Sequence, residues 1–539
     1  MKKWIAVSFV ALSAVLTITA CSKEKEVPSA SQGTESAKPE AKKNISVSIY
    51  DRGNIPQGEG SVDKNRWTEW LNSKAPANVS FIPIPRNESV SKLNVLFASG
   101  SAPDLIFDFD SNYRNQLFTQ KQLMPLDELI DKYSVEYKKR LQENPLLKTA
   151  TTFDDGKIYA FGRLQNTTPG GALVIRTDWL KKLGLQAPKT PEEMLNVAKA
   201  FASQDPDGNG KQDTYGFALS SWNGAVIDHM FGSAMTFQDK IPFQIQSDIW
   251  THDWERAKSA TEFKKKMFES GVVDKDFLTD KDGNKAKQDF LSGKLGMAYL
   301  LVDPKAFETF WKNNPQAELD IISYPTTAYG QYGPLWNNPV QAVGVINESA
   351  KNPEAIMKYV DFTLKQETSN TMVYGTEGQH YKVENGCPKP TLTEENKNQV
   401  GSYTKDYVML YNQNFEDPKC KPAVITDANL QKKYEDWLAA DYKTYKTVNP
   451  ALPVIHPENM PALPKDLATS SSSALSAIWD IWQKSIVSGA SYTVDAAFEE
   501  SKAYWDKSNG QKIDSWYKDY YAKNKSRILN VDQLNTFRK

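Results

Sequence analysis

The chain has 539 residues with 65 basic and 66 acidic side chains, so its net charge at pH 7 is -1. This balance excludes the strongly basic surface that nucleic acids and anionic membranes attract. Because a single hydrophobic core stops growing at about 250–300 residues, the length predicts two lobes.

The first 20 residues have the pattern of a lipoprotein signal peptide. Lys2 and Lys3 precede an apolar run over residues 4–18, which is shorter than the roughly 20 residues of a membrane-spanning helix. Small residues then precede Cys21, the place where such a signal is cut and the cysteine is lipidated. Since two acyl chains anchor a protein stably, we expect Cys21 to hold the chain on the extracellular face of the cell membrane, with the lipid as its sole membrane contact.

Residues 21–43 are interpreted as the lipidated cysteine and a disordered tether. They are dominated by Ser, Glu, Lys, Pro, Ala and Gln and contain no aromatic residue, a composition that buries too little apolar surface to fold. An exported chain experiences an oxidising environment, in which Cys387 and Cys420 could form a disulfide or remain free thiols.

The first folded segment alternates strands and helices. Apolar alternation predicts strands at residues 45–50, 79–84 and 104–107, with helices at residues 66–71 and 89–98 between them. This order predicts a parallel sheet with helices on both faces. Ligands of such sheets gather beyond the carboxyl ends of the strands, so the loops after two of these strands supply candidate ligand contacts: Arg52, Asn54 and Asp108.

A second α/β unit follows. A strand is predicted at residues 172–176 and a short helix at residues 178–183, which Gly184 closes. Thr190 and Pro191 have the sequence of a helix N-terminus, and an apolar stripe continues that helix to about residue 203.

The segment after this helix has the spacing of a calcium-binding loop. Gly210 provides the sharp bend, but Gly216 stands at position 12, where an EF-hand has a bidentate Glu, so a true EF-hand pair is not expected. Side-chain oxygens occupy positions 1, 3, 5 and 9 and a main-chain carbonyl would occupy position 7: Asp205, Asp207, Asn209, Asp213 and Lys211. We expect a structural Ca²⁺ ion here. The alternative is a turn without an ion, since Asp, Asn and Gly favour turns in any case.

The rest of the chain is predicted to be mainly helical. In residues 290–301 two glycines lead into an apolar stretch, and we expect a strand there that returns to the first lobe. A further strand is predicted at residues 340–346. Helices are predicted at residues 255–269, 353–366, 474–487 and 495–505.

Five segments carry a resemblance to a known family. The string RTDWLKKLGLQAPKTPEEMLNVAKAFASQDPDGNGKQDTYGF at residues 176–217 resembles extracellular solute-binding proteins of carbohydrate-type ABC transporters, in the branch of large oligosaccharide-binding lipoproteins. Four more strings fit the same resemblance: KLNVLFASGSAPDLIF at 92–107, LMPLDELIDKY at 123–133, NPEAIMKYVDF at 352–362 and GTEGQHYKVENG at 375–386.

The resemblance implies an α/β protein with a two-lobed, periplasmic-binding-protein-like fold of type II, in which mixed sheets are flanked by helices and the ligand cleft lies between the lobes. We expect lobe 1 at residues 44–165 and about 296–350, and lobe 2 at about 166–295 and 351–539, mostly helical at its C-terminal end. The resemblance also implies a monomer that performs no chemistry, captures an oligosaccharide and delivers it to the permease subunits of an ABC importer.

Sugars present C–H faces that stack on aromatic rings and hydroxyl rims that bond to fixed polar groups. The chain has 14 Trp and 24 Tyr. Trp179 and Trp479 lie in apolar helical stripes and are expected to be structural, whereas aromatic residues in polar loops suit a ligand site. The loop candidates are Trp222, Asn223, Tyr332, Trp336, Glu377, His380 and Tyr381. Trp222 and Trp336 are the favoured stacking platforms, and core packing is the alternative for each aromatic residue.

Enzymatic motifs are scarce in this chain. It has no HExxH, GxSxG or GxxxxGK[ST] motif, and its SxxK match at Ser89 to Lys92 lacks the partner KTG. The alternative functions are a surface-attached glycosidase or lyase that uses Asp108 and Asp110, and a receptor for a peptide or another solute. Four arginines could pair with uronic carboxylates or form surface salt bridges: Arg52, Arg86, Arg114 and Arg163.

Overall fold

The computed structural model describes residues 41–164, 171–220, 222–233, 243–246, 249–281, 283–301, 303–334, 338–411, 425–447, 463–525 and 528. The predicted signal peptide and Cys21 lie outside these residues, as does nearly all of the tether. Residues 42–539 form one compact unit, and residues 1–41 are a separate unit. Across the described part of the chain, no helix combines the length and the apolar character that crossing a bilayer requires.

The strands of the described residues are short, and most belong to two sheets. They are β1 (Asn44–Asp51), β2 (Asn78–Pro85), β3 (Leu105–Phe107), β4 (Ala160–Leu164), β5 (Gly171–Arg176), β6 (Phe243–Gln246), β7 (Ile249–His252), β8 (Met297–Leu301), β9 (Leu319–Ile321), β10 (Val340–Ile346), β11 (Tyr381–Glu384) and β12 (Cys387–Pro390).

Helices connect and cover these strands. Those before β8 are α1 (Arg66–Lys74), α2 (Ser89–Ala98), α3 (Ser111–Thr119), α4 (Asp127–Tyr133), α5 (Glu136–Glu143), α6 (Pro145–Thr151), α7 (Thr177–Leu183), α8 (Pro191–Ser203), α9 (Trp222–Met230), α10 (Trp254–Glu269) and α11 (Asn284–Leu291). Those after β8 are α12 (Pro304–Asn313), α13 (Pro353–Leu364), α14 (Gln366–Tyr374), α15 (Glu394–Gln399), α16 (Ser402–Lys405), α17 (Ala428–Thr447), α18 (Lys465–Val487), α19 (Val494–Lys507) and α20 (Gly510–Asn524).

The first sheet has five strands in the order β2-β1-β3-β10-β4. β1 pairs with β2 in parallel along its whole length, and β1 also pairs with β3 in parallel. The predicted parallel βαβαβ unit is therefore confirmed. β10 is a strand as predicted, but it runs antiparallel to both β3 and β4.

Both faces of this sheet are covered, as a parallel sheet requires. One face packs with α1, α4, α5 and α13 in a large apolar core that contains Val47, Leu71 and Ile356. The other face packs with α2 and α3 in a smaller core that contains Leu93 and Ile106.

A buried carboxylate joins two helices of the first core. Asp361 of α13 accepts hydrogen bonds from the Ser134 hydroxyl (2.7 Å) and from the main-chain N–H groups of Val135, Glu136 (3.0 Å) and Tyr137 (3.2 Å). These N–H groups belong to the first turn of α5, where no intrahelical acceptor exists and negative charge is favoured. Asp361 therefore caps α5 from another element.

We expect Asp361→Ala to lower the free energy of unfolding by on the order of 3 kcal/mol, because buried N–H donors of α5 lose a charged acceptor. Urea denaturation of the purified chain measures the change. Glu354→Ala is the matched control: Glu354 lies on the same helix in an exposed pair with Lys358, worth at most about 1 kcal/mol. Equal effects of the two substitutions would contradict the capping role.

The second sheet has three strands in the order β8-β5-β9, and all neighbours are antiparallel. Its core contains residues of α7, α8, α10, α12 and α17, with Trp179, Phe201 and Phe310 among the buried side chains. Trp179 is 1% exposed, as expected of a structural residue.

The structure divides the chain between the two sheets differently from the expected boundaries. β8 pairs with β5, so residues 297–301 belong to the second sheet and not to the first. Residues 350–411 contribute to the first core, whereas residues 425–445 contribute to the second. An apolar strand fits the open edge of either sheet, so periodicity does not choose its partner. α18, α19 and α20 form a further core with α10.

A charged pair is buried where α9 packs on α10. The Lys264 ammonium donates to both carboxylate oxygens of Asp228 at 2.7 Å, and both side chains are almost fully buried. His229 lies next to this pair and is 7% exposed. Burial, together with the nearby Lys264 charge, lowers the pKa of His229 to about 4.

His229 makes the stability of the fold depend on pH. Because its pKa falls from 6.5 in the unfolded chain to about 4 in the folded chain, its contribution is complete above pH 6.5 and is lost as pH falls toward 4. We expect His229→Gln to reduce the pH dependence of the unfolding free energy between pH 7 and 4 by on the order of 3 kcal/mol.

Urea denaturation of wild type and variant at pH 8, 7.5, 7, 5.5 and 4.5 measures this difference. Between pH 7.5 and 8 the gap between the two proteins should stay constant, which separates the titration from any packing change. Parallel curves down to pH 4.5 would contradict a neutral, buried His229.

Candidate functional site

Four strands of the first sheet end at one edge. β1, β2 and β3 are parallel, and β4 points the same way because β3 and β4 both run antiparallel to β10. Side chains that follow these strand ends therefore meet at the edge where such sheets bind ligands. They are Arg52 after β1, Arg86 after β2, Asp108 and Phe109 after β3, and Arg163 near the end of β4.

Aromatic rings and guanidinium groups interleave at this edge. Tyr50 and Phe109 stack with 5.6 Å between ring centroids. The Arg86 guanidinium lies 4.8 Å from the Tyr50 ring and 5.4 Å from the Phe109 ring. Arg52 lies 5.2 Å from Tyr50, and Arg163 lies 5.2 Å from Phe109. We call these five residues the arginine–aromatic edge.

The three guanidinium groups differ in their acceptors. Arg52 forms a two-point ion pair with Asp406, at 2.7 and 3.0 Å. Arg163 donates to neutral groups, the side-chain oxygen of Gln341 (2.8 and 3.1 Å) and the carbonyl of Met409 (3.1 Å). Burial lowers the pKa of Arg163 below its ordinary value.

The predicted contact Asp108 is buried beneath this edge. It is 1% exposed, and its Oδ1 accepts from the main-chain N–H of Asp110 at 2.6 Å. Its Oδ2 is buried and makes no hydrogen bond with any described residue. Burial and the Asp108 carboxylate both raise the pKa of Tyr50 and of Tyr113. Asp108 is therefore a buried neighbour of Tyr50 and not an exposed side chain of the edge.

Two predicted contacts after β1 lie against a segment distant in the sequence. Asn54 donates to the Ser402 hydroxyl at 2.9 Å. Arg52 pairs with Asp406, as described above. The structure thus brings these residues to the strand-end edge as predicted, but their present hydrogen bonds are within the protein.

The motif at residues 375–386 uses its polar residues to fold. His380 Nδ1 accepts from the Thr376 N–H at 2.9 Å, so Nε2 carries the proton and donates to Gln399 Oε1 at 2.8 Å. Tyr381 is buried and packs on Tyr374, with 5.7 Å between ring centroids. Glu377 is exposed. His380 thus uses both ring nitrogens to hold this segment in place.

Two further predicted contacts are fixed by neighbouring elements. Asn223 Oδ1 accepts from the Tyr299 N–H at 2.7 Å and so joins α9 to β8. The Tyr332 hydroxyl accepts from Arg256 at 2.7 Å and donates to the Tyr329 carbonyl at 2.9 Å.

The favoured stacking platforms are not described. Trp222 begins α9, but its side chain lies outside the described residues, and Trp336 lies outside them entirely. Cys387 is disulfide-bonded, and Cys420 lies outside the described residues. Tyr50 and Phe109, the stacked pair of this edge, were not singled out from the sequence; Phe109 is partly exposed and Tyr50 is 2% exposed. Their signal was their position at the ends of two adjacent parallel strands.

A separate cavity of about 790 Å³ lies between α18 and the α9–α10 pair. Phe277, Trp479 and Ile486 are among its lining residues. None of the predicted ligand contacts whose side chains the structure describes lines it.

The predicted calcium loop is tightly folded. Both oxygens of Asp205 accept main-chain N–H groups, from Asn209 and Gly210, each at 3.1 Å. The Asn209 side-chain amide donates to Asp207 at 2.8 Å and to Asp213 at 3.0 Å. Burial and the neighbouring Asp205 raise the pKa of Asp207.

The oxygen donors of this loop are of the type that a hard cation prefers, but their arrangement is not that of a metal site. Three carboxylates and one amide oxygen within nine residues are ligands that Ca²⁺ prefers. Among the described residues, however, no three His, Cys, Asp or Glu side chains form a metal-ligand group. The five-residue ligand set, including the Lys211 carbonyl, therefore stays a prediction.

Comparison with known families gives one match along the chain. Residues 69–368 match the family described as bacterial extracellular solute-binding protein.

Three characterised relatives are similar in sequence. The fructooligosaccharide ABC transporter substrate-binding protein FusA of Streptococcus pneumoniae serotype 4 is 30% identical over 205 residues, which span 35% of this chain and 38% of FusA. Lipoprotein LipO of Bacillus subtilis is 25% identical over 71% of this chain and 74% of LipO. The polygalacturonan/rhamnogalacturonan-binding protein YtcQ of Bacillus subtilis is 24% identical over 82% of this chain and 85% of YtcQ.

Solved structures share the fold. An extracellular solute-binding protein of Bifidobacterium longum subsp. infantis has a TM-score of 0.70 at 17% identity, over 90% of this chain and 99% of that protein. The alginate-binding protein AlgQ2 without calcium ion has a TM-score of 0.68 at 18% identity, over 89% and 98%. An EF-hand mutant of FusA in complex with fructo-nystose has a TM-score of 0.68 at 19% identity, over 90% and 100%. These similarities support the predicted two-lobed solute-binding fold.

Proposed function

Because the chain belongs to the bacterial extracellular solute-binding protein family, we propose that it is a lipid-anchored receptor that captures an oligosaccharide and delivers it to an ABC importer. Family membership makes it a binding protein and not an enzyme, so the glycosidase or lyase alternative is set aside. The observation that carries the ligand class is the arginine–aromatic edge, where a stacked ring pair and three guanidinium groups meet at the strand ends.

Capture requires no bond breaking. The chain passes between the two sheets from β4 to β5, from β9 to β10 and from the first core to α17, so the lobes are joined by several segments. A ligand that contacts both lobes favours their closed arrangement, which the permease subunits recognise. Affinity near micromolar, about -8 kcal/mol, suits capture followed by release.

The proposed anchor is the lipidated Cys21. It follows a signal sequence, and the relative LipO is itself named a lipoprotein. The relative FusA is named an ABC transporter substrate-binding protein, which supports delivery to permease subunits. A monomer suffices for this role.

A structural Ca²⁺ ion in the loop after α8 is part of the proposal. Asp205, Asp207, Asn209 and Asp213 would hold it with their side chains and Lys211 with its carbonyl. One solved relative is an EF-hand mutant and another is described as free of calcium ion, which supports a site of this kind. The ion would neutralise the clustered carboxylates and fasten the end of α8.

Thermal-shift titration tests sugar binding. We expect oligosaccharides to raise the Tm of the wild-type chain without the appearance of new reducing ends. Phe109→Ala should weaken oligosaccharide binding about tenfold, because it removes the partly exposed ring of the stacked pair. Phe153→Ala is the matched control, since Phe153 belongs to an aromatic cluster with Tyr159 at the opposite end of β4. The proposal fails if no oligosaccharide shifts the Tm, or if products appear.

Calcium dependence is tested by scanning the chain with 10 mM Ca²⁺ and with chelator. At the 0.1 to 1 mM affinities of extracellular sites, we expect Ca²⁺ to stabilise the fold by about 1–3 kcal/mol, a rise in Tm of a few degrees. Asp207→Asn should abolish the rise, whereas Asp276→Asn, an exposed carboxylate outside the loop, should retain it. An unchanged Tm in wild type would rule out the ion.

A further inference from the structure

Two guanidinium groups of the arginine–aromatic edge have no bonded carboxylate among the described residues. Asp406 pairs with Arg52. Asp406 also influences Arg163, but both of its oxygens already accept from Arg52. Arg86 and Arg163 are therefore cations without a bonded carboxylate, beside the partly exposed ring of Phe109.

Arg86 has no acceptor of its own. Among the described residues it forms neither a hydrogen bond nor an ion pair, and its recorded contacts are the faces of Tyr50 and Phe109. A guanidinium that lies over aromatic rings keeps its N–H groups free of acceptors, so they can meet a carboxylate at two points. Arg86 therefore offers N–H donors that no described acceptor of the protein uses.

Arg163 is partly buried among neutral acceptors. Its hydrogen bonds go to Gln341 and Met409, and its guanidinium lies over Phe109. Burying a cation without a counter-ion costs free energy, which an incoming anion would recover. A neutral sugar would leave that cost in place.

The two carboxylates that follow β3 do not hydrogen-bond to Arg86 or Arg163. Asp108 is buried and accepts from the Asp110 N–H at 2.6 Å. Asp110 caps α3 by accepting from the Tyr113 N–H at 2.9 Å.

We propose that the ligand of this edge is an anionic oligosaccharide of uronic acid residues, whose carboxylate is bound by Arg86 and Arg163 while its ring packs on the partly exposed Phe109, which the buried Tyr50 supports from behind. This inference rests on the proposed oligosaccharide function. A uronic carboxylate is attached directly to the sugar ring, so a ring stacked on an aromatic platform places it beside a guanidinium at the platform rim. The acid then forms two charge-assisted contacts that its neutral analogue lacks, and it should bind more tightly for that reason.

The test is calorimetric titration of the full chain carrying Cys21→Ala, which prevents lipidation. Three probes are used. They are an oligogalacturonate, its fully methyl-esterified form of nearly the same shape, and an oligosaccharide of the same length that has no carboxylate and carries its negative charge on sulfate groups. We expect the acid to bind at least tenfold more tightly than the ester, and this preference to shrink as salt rises.

Arg86→Gln should remove most of the preference for the acid over the ester, because it removes the guanidinium that has no other acceptor among the described residues. Arg66→Gln is the matched control. Arg66 pairs with Glu59 at 2.7 Å on an exposed surface, and its loss should leave the preference intact.

Each outcome decides the inference. Equal affinity for acid and ester, a preference that survives Arg86→Gln, or tighter binding of the sulfated sugar would overturn it. If neutral oligosaccharides bind but the acid gains nothing, the inference fails and the receptor function stands. If no oligosaccharide of either charge binds, both fail.

Discussion

The site depends on one geometric constraint, which is that parallel strands deliver the residues that follow them to a common edge. β1, β2, β3 and β4 point the same way, so Arg52, Arg86, Phe109 and Arg163 meet although up to 111 residues separate them in the sequence. The buried strands hold the edge rigid, because both faces of the sheet pack against helices. The side chains that contact ligand can therefore vary without changing the sheet that positions them.

A second constraint comes from a segment far along the chain. Residues 402–407 lie against the loop after β1 through Asn54 and Ser402, through Arg52 and Asp406, and through the Asn65 amide and the Tyr407 hydroxyl at 2.8 Å. Tyr407 in turn donates to the Val62 carbonyl at 2.6 Å. The wall of the edge is thus built from residues more than 340 positions apart in the sequence, and the two-point pairing of Arg52 limits where that loop can move.

The positions of individual helices and strands could be predicted from the sequence, whereas the sheet that each strand joins could not. Residues 89–98 form a helix with the predicted bounds because periodicity and capping act within a few residues. Residues 297–301 form a strand, but β5 and not the first sheet pairs with it, since strand pairing is decided by tertiary packing. Within the site, topology placed Arg52 and Asp108 correctly at strand ends. Phe109 was missed because an aromatic residue after a strand is equally typical of a core, and the burial of His380 depends on Gln399, 19 residues away.

The acceptors of Arg163 also bear on how a receptor releases what it captures. Gln341 and Met409 satisfy this guanidinium with neutral oxygens, so the protein itself supplies acceptors for it. A ligand carboxylate that bonds to Arg163 replaces or joins hydrogen bonds that exist already. The binding free energy it adds is therefore only the difference between a charged and a neutral acceptor. Arg86, which has no such acceptor, gains more from the same carboxylate. If the edge binds a uronic carboxylate as proposed, selectivity for charge comes mainly from Arg86, and the smaller gain at Arg163 limits the total affinity, as release of the ligand requires.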